Sequence, residues 1–150
     1  MLRRIITITL VLFVTALLTI PAAAQSYYFS LDKEIVNVYW NSDGTMALDY
    51  LLTFTNQPGG HGIEFVDVGM PNGNFDFNTI RADTDGHSLS VSNDFQGTGS
   101  DGFAVAMGQY AIPPGQTGTV HVFVGTVTRV LYKDSQDSEY ASAVFAPLYF

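Results

Sequence analysis

The residues best suited to bind a metal ion are the acidic ones around Asp83-Thr84-Asp85-Gly86-His87. Two carboxylates at alternate positions before a glycine are typical of the start of an EF-hand calcium loop. That loop needs Gly at its sixth position and Glu at its twelfth, where this chain has Ser88 and Asp94, so we do not expect an EF-hand. A looser site of oxygen ligands that adds Asp94 or Asp101 stays open. The simpler interpretation is a hairpin turn, for which Asp and Gly are standard residues.

Residues 97–102 reproduce the glycine spacing of a dinucleotide-binding loop. Such a loop works only where it joins a strand to a helix, whose first turn receives the pyrophosphate. The residues that follow, 103–107, are poor helix formers, and no acidic residue lies between Asp101 and Asp134 to hold a ribose. The pattern therefore predicts a polar loop.

Groups for nucleophilic or metal-assisted catalysis are sparse. The histidines His61, His87 and His121 lie far apart and lack metal-ligand spacing. Ser100 is outside a G-x-S-x-G frame because Thr98 replaces the first glycine, and the absence of cysteine excludes a thiol nucleophile or a thiolate metal site. A pair of carboxylates like that of a glycoside hydrolase stays open. We assign no catalytic, metal-binding or cofactor-binding residue and no cofactor.

Tyr39 and Trp40 form the one adjacent aromatic pair that suggests a sugar-stacking surface. Alternation along the same segment puts Trp40 on one face with Val36 and Val38. Packing in the core is therefore the favoured interpretation of Trp40.

The segments that would position these residues read as short strands separated by turns. In residues 46–54 the apolar residues alternate with polar ones, which is typical of a half-buried strand. Asn41-Ser42-Asp43-Gly44 before it predicts a hairpin turn, and Gly125 predicts a bend or bulge. The predicted strands span residues 34–40, 46–55, 63–70, 75–82, 87–92, 103–112, 119–132 and 140–145. Without helical periodicity, this pattern predicts an all-β fold, an antiparallel β-sandwich of immunoglobulin-like or jelly-roll-like type.

The first residues have the layout of a secretory signal peptide. Arg3 and Arg4 precede an apolar run over residues 5–20, and Pro21 and Ala22-Ala23-Ala24 follow. The run is shorter than the about 20 residues of a membrane span, so cleavage near Ala24 is favoured over a retained anchor. We therefore predict a signal peptide at residues 1–24, a β-sandwich domain at 25–150, and an extracytoplasmic location.

Charge excludes one class of partner. The formal net charge is −8, and removing Arg3 and Arg4 with the signal peptide leaves −10. A surface this acidic repels phosphate backbones, so nucleic-acid binding is not expected. Cysteine is absent, so burial and hydrogen bonds must hold the domain together.

The last residues, 141–150, are apolar and aromatic with no polar tail. One interpretation is a truncated domain that continues past Phe150. A terminal Phe is also typical of the last strand of outer-membrane barrels, but Pro147 and the short earlier strands argue against that.

Four stretches resemble a known family: VYWNSDGT at 38–45, VDVGMPN at 66–72, IPPGQTGTV at 112–120 and YASAVF at 140–145. They are similar to the N-terminal extracytoplasmic domain of uncharacterised bacterial membrane proteins related to the DUF2207 family. The resemblance implies an outward-facing β-sandwich without established catalytic residues. Such proteins continue with more β structure and then membrane spans, whereas this chain stops at Phe150.

We therefore expect an exported, non-catalytic interaction module of the envelope or cell surface, the N-terminal ectodomain of a membrane protein. Its partner would be a protein or a glycan, and it would meet the membrane only through a region beyond Phe150. Two alternatives stay open, a small secreted carbohydrate-active enzyme and a calcium- or sugar-binding module.

Overall fold

The computed structural model describes residues 27–99 and 101–143. They form nine strands and two single-turn 3₁₀ helices, with no α-helix among them. The predicted signal peptide and the apolar end after Ala143 lie outside the described residues. The strands are β1 (Phe29–Trp40), β2 (Met46–Asn56), β3 (Phe65–Gly69), β4 (Ile80–Thr84), β5 (His87–Ser92), β6 (Gly102–Ala106), β7 (Thr117–Val127), β8 (Leu131–Lys133) and β9 (Ala141–Ala143).

Most predicted strands are confirmed, and three are shorter than predicted. The strand predicted at 63–70 is reduced to Phe65–Gly69. The 3₁₀ helix Phe77–Thr79 replaces the start of the strand predicted at 75–82, and Gly108–Tyr110 replaces the end of the one at 103–112. The long strand predicted at 119–132 is divided into β7 and β8. Arg129, between them, has a φ of +56°, a left-handed conformation that a continuous strand cannot contain.

Seven strands form one antiparallel sheet in the order β1-β2-β7-β4-β5-β6-β3, and β8 pairs with β9 in a second sheet. The sheet is strongly curled into a half-barrel. The curl occurs at β5, whose first half pairs with β4 and whose second half pairs with β6. The all-β antiparallel prediction is confirmed, whereas a sandwich of two separate sheets is not what this strand order shows.

The hydrophobic core fills the concave side of the half-barrel. On β2 the side chains at alternate positions are buried, as the alternating sequence predicts. Val66 and Val68 on β3, at the far edge of the sheet, belong to the same buried cluster. The central residues are Leu48, Leu52, Phe54, Phe103, Val105, Val120, Val122 and Val124. Burial of these apolar side chains is the main force that holds the curl.

Turns and one bulge have the chemistry that the sequence predicts. Gly44 closes the β1–β2 hairpin with a φ of +84°, which glycine adopts without steric cost. Val124 and Val127 of β7 pair with Leu48 and Met46 of β2. Two residues lie between the members of this pair on β7, but only one lies between their partners on β2. The extra residue is a β-bulge beside Gly125, so the predicted irregularity is confirmed.

Candidate functional site

A cleft of about 600 Å³ opens where the two edge strands of the half-barrel, β1 and β3, face each other. Its volume is within the roughly 300–1,000 Å³ typical of ligand pockets. Residues of both edges line it, together with residues from the loop between β5 and β6. The lining consists of Tyr27, Phe29, Phe54, Ile63, Phe65, Val66, Asp67, Asp94, Gln96, Gly97 and Ala104.

Aromatic side chains give the cleft an apolar wall that solvent reaches. Phe29 and Phe65 are 45% and 60% exposed, although both are large and apolar. Phe29 packs edge-on against the buried ring of Phe54, with 5.8 Å between ring centroids. A wall of this kind offers area to an apolar or planar group of a ligand.

The polar groups of the cleft are acidic or neutral. Asp67 projects from β3, and Asp94 and Gln96 come from the loop between β5 and β6. The backbone N–H of Gln96 donates to Oδ1 of Asp67 at 3.4 Å, which ties the loop to the strand. None of the described residues that line the cleft is Lys or Arg, so the electrostatic field of this lining favours a ligand that carries positive charge.

Unpaired backbone lies beside the cleft. Within the described residues, β1 pairs only with β2, and β3 pairs only with β6. Each strand therefore has one row of N–H and C=O groups outside the sheet ladder, which an extended chain could pair with. A bulge between Leu31 and Lys33 interrupts the regular part of β1, so its longest uninterrupted edge runs from Lys33 to Trp40.

The glycine-rich loop is not a nucleotide site. The strand β6, not a helix, begins at Gly102, so there is no helix N-terminus for a pyrophosphate, and the predicted loop is confirmed. Its glycines have a packing role instead. A Cβ at Gly97 or Gly102 would lie 2.7 or 2.6 Å from the ring of Phe95, which only glycine avoids. Ser100, within this loop, lies outside the described residues.

The acidic loop at residues 83–87 is the predicted hairpin turn. Asp85 and Gly86 have φ of +50° and +79°, the left-handed pair of a two-residue hairpin between β4 and β5. Asp83 contacts His121, while Asp94 lines the cleft. No three His, Asp or Glu residues of the described ranges form a group suited to a metal ion.

His121 lies between two carboxylates on the convex face of the sheet. Its Nε2 is 2.6 Å from Oδ1 of Asp49 on β2, and its Nδ1 is 2.8 Å from Oδ2 of Asp83 on β4. Hydrogen bonding to Asp83, and secondarily to Asp49, raises the pKa of His121 against the opposing effect of burial. Because only the doubly protonated ring donates to both acids, this arrangement leaves no nitrogen lone pair for a metal or for general-base catalysis.

A second polar group lies on the concave side. Glu34 of β1 faces inward with Val36 and Val38, and Tyr50 of β2 is a diagonal neighbour on the same face. Burial raises the pKa of the Glu34 carboxyl, and burial followed by the charge of Glu34 raises that of the Tyr50 hydroxyl. Neither residue belongs to a sequence motif, although Glu34 alternates in register with Val36 and Val38.

Trp40 does not pack in the core. The side chains of Tyr39 and Trp40 are 49% and 45% exposed, so the predicted burial of Trp40 is wrong. Trp40 alternates in register with Val36 and Val38, as predicted. It is, however, the last residue of an edge strand, and nothing in the described part of the chain buries it there. The two aromatic residues do not line the cleft.

Comparisons with known proteins add no family to this description. No family model, curated protein or solved structure matches the chain. The resemblance to proteins related to the DUF2207 family therefore stays a prediction. Among the residues that the structure describes, no helix has the length and apolar character needed to span a membrane.

Proposed function

We propose that residues 25–150 are an exported, non-catalytic interaction module that holds an extended segment of a partner protein in the cleft between β1 and β3. The cleft itself carries the proposal, because an aromatic wall there adjoins two unpaired strand edges. Strand addition at such an edge supplies backbone hydrogen bonds, while pockets beside it select side chains.

Charge complementarity favours a basic segment. Asp67 and Asp94 line the cleft, with no Lys or Arg among its described lining residues, and the chain as a whole is acidic. Opposite charge speeds association and disfavours acidic competitors. The expected partner segment is therefore extended, with aromatic or aliphatic anchors and at least one basic residue.

A glycan is the second candidate, because aromatic rings beside carboxylates and an amide also suit a sugar. The unpaired backbone favours the peptide, since a glycan would leave those edges unused. The finer description of the fold as an immunoglobulin-like or jelly-roll-like sandwich, and the place of the domain in a longer membrane protein of the resembled family, belong to the same proposal.

Selection from a random-peptide display library, run beside a glycan array, tests the proposed partner class. Peptides that bind the protein should lose at least about tenfold in affinity on Phe65→Ser, as expected for an anchor contact. Tyr132→Ser, which changes an aromatic residue 54% exposed outside the cleft, should have no effect. N-methylation of peptide amides should also weaken binding. Glycans that bind in a Phe65-dependent manner, or peptides indifferent to Phe65→Ser, would overturn the peptide assignment.

Export has its own test. Expression of the full chain with its natural start should yield an extracytoplasmic protein whose first residue is Gln25. Retention of Met1 in a cytoplasmic product would contradict the proposed location. Sequencing of the coding DNA after Phe150 would show whether apolar spans follow.

A further inference from the structure

Three side-chain oxygen atoms are buried and have no hydrogen-bond partner within residues 27–99 and 101–143: Oε1 of Glu34, the hydroxyl of Tyr50 and Oδ1 of Asn56. The first two lie together on the concave face. Tyr50 is 3% exposed, so water reaches its side chain hardly at all. Glu34 pairs with Leu52 and Tyr50 with Val36. The two polar side chains are thus diagonal neighbours on adjacent strands, close enough for the charge of Glu34 to act on the Tyr50 hydroxyl.

No cation of the described chain compensates this carboxylate. The ion pairs within those residues are the two of His121, on the opposite face. Lys33 is adjacent to Glu34 in sequence, and strand alternation directs it to the convex side. A buried polar atom without a partner is costly, and a buried unpaired charge costs more.

A ligand suited to these two oxygen atoms donates hydrogen bonds to both and carries a positive charge that compensates the carboxylate. A protonated amine does both, because its three N–H groups can serve the carboxylate and the phenol oxygen together. Its charge also offsets the cost of removing Glu34 from water, which a neutral donor cannot do. The phenol remains available as an acceptor, since burial and the nearby charge keep it protonated.

The position of this pair relates it to the proposed cleft. Phe29, which lines the cleft, and Glu34 lie on the same edge strand, β1. Five residues of a strand extend about 16 Å. A segment that lies along β1 from the aromatic wall would pass the bulge between Leu31 and Lys33 and reach Glu34 about five residues further on.

We propose that Glu34 and Tyr50 form a subsite for a protonated amine, the side chain of a lysine in the segment bound at β1. This inference rests on the proposed function for the identity of the partner. The subsite itself is a property of the free protein and can be measured without the partner.

The chain has only three glutamates, Glu34, Glu64 and Glu139, so a protein labelled with ¹³C at the glutamate carboxyl gives three signals. The full exported protein is titrated near neutral pH with N-acetyl-lysinamide. N-acetyl-norleucinamide, which has a similar side chain without the amine, is the matched control. Glycinamide tests whether an α-amine binds at the same site, and N-acetyl-argininamide tests whether a guanidinium does. Glu34→Gln assigns the signal, and Glu64→Gln and Glu139→Gln confirm the assignment.

We expect a saturable shift of the Glu34 signal with N-acetyl-lysinamide and none with the norleucine compound. The Glu64 and Glu139 signals should stay in place, and Tyr50→Phe should weaken the binding several-fold. A Glu34 signal that stays in place, or that moves no more than that of Glu139, overturns the subsite. A stronger shift with glycinamide or N-acetyl-argininamide overturns the assignment to lysine.

The two proposals fail separately. If binding of the selected peptides depends on Phe65 but no amine shifts the Glu34 signal, the peptide-binding cleft is supported and the amine subsite is refuted. If N-acetyl-lysinamide shifts the Glu34 signal but binding of no peptide depends on Phe65, the amine subsite is supported and the proposed strand-adding partner is refuted.

Discussion

Nδ1 of His121 lies 2.8 Å from Oδ2 of Asp83, directly across the antiparallel pair of β7 and β4. Asp49 approaches the other ring nitrogen from β2. Three neighbouring strands are thus joined on their convex face by one imidazole. Because both contacts need a proton on the ring, the pKa of His121 is raised, and this link depends on pH.

The first prediction concerns that pH dependence. The pKa of His121 is higher in the folded state than its unfolded value near 6.5. The stabilisation that the protonated ring gives to the fold is therefore complete below about pH 6.5 and is lost as pH rises through the folded-state pKa. The ring is 41% exposed, so solvent limits the effect to about 1 kcal/mol or less. Urea unfolding at pH 6 and pH 9 should show this loss in the wild type and not in His121→Gln. His87→Gln is the control, and an unchanged pH dependence in His121→Gln would contradict the role of the ring.

A second prediction is that Glu34→Gln stabilises the free protein at neutral pH. The folded pKa of Glu34 lies above its ordinary value of 4.5, so folding favours the protonated form and ionisation lowers stability as pH rises. Gln resembles the neutral form and should add about 1 kcal/mol at pH 7, at the low end of the cost of an unsatisfied buried group. Below pH 4.5 the gain should disappear.

Thermal unfolding across this pH range checks that prediction. Glu139→Gln, at an exposed position, is the matched control and should change little. Loss of stability in Glu34→Gln at pH 7 would mean that Glu34 already has a partner in the free protein.

Gly86→Ala should destabilise the β4–β5 hairpin through backbone conformation alone. Gly86 has a φ of +79° with no atom near an added Cβ, so the cost is that of a left-handed alanine, about 1–2 kcal/mol. Gly62→Ala is the control, since Gly62 lacks a positive φ and its added Cβ would be 3.8 Å from the nearest atom. Equal melting temperatures for the two variants would refute the turn assignment.

Asn56→Ala should weaken the end of the half-barrel that borders the cleft. Asn56 is fully buried, and its Nδ2 donates at 2.8 Å to the carbonyls of His61 and Ile112. Alanine leaves the carbonyl of His61 without this donor, whereas the carbonyl of Ile112 keeps the N–H of Ile63. The loss should lower the free energy of unfolding by about 1–2 kcal/mol. Chemical denaturation measures it, with Asn37→Ala at an exposed position of β1 as control. If Asn56→Ala lowers the free energy of unfolding by less than Asn37→Ala does, other donors replace the amide of Asn56.

Local patterns in the sequence were sufficient to predict most strands and their faces. Alternation on β2 places Leu48 and Leu52 inside because side chains of a strand point to opposite faces in turn. Gly44 and Gly86 mark turns because few other residues adopt positive φ cheaply. The exposure of Trp40 was missed because alternation gives the face of a residue but not whether another strand covers it.

What the sequence by itself determined is therefore the all-β class, the positions of the turns, the acidic charge and the absence of thiol chemistry. Tertiary structure decided the strand order, the curl at β5 and the approach of Phe29 and Phe65 across the open edge. It also decided that His121 meets two carboxylates and that Glu34 is partly buried beside Tyr50. The physical reason is distance along the chain: periodicity and turn chemistry act over a few residues, whereas these contacts join strands far apart in sequence, which come together only when the whole sheet curls to bury its core.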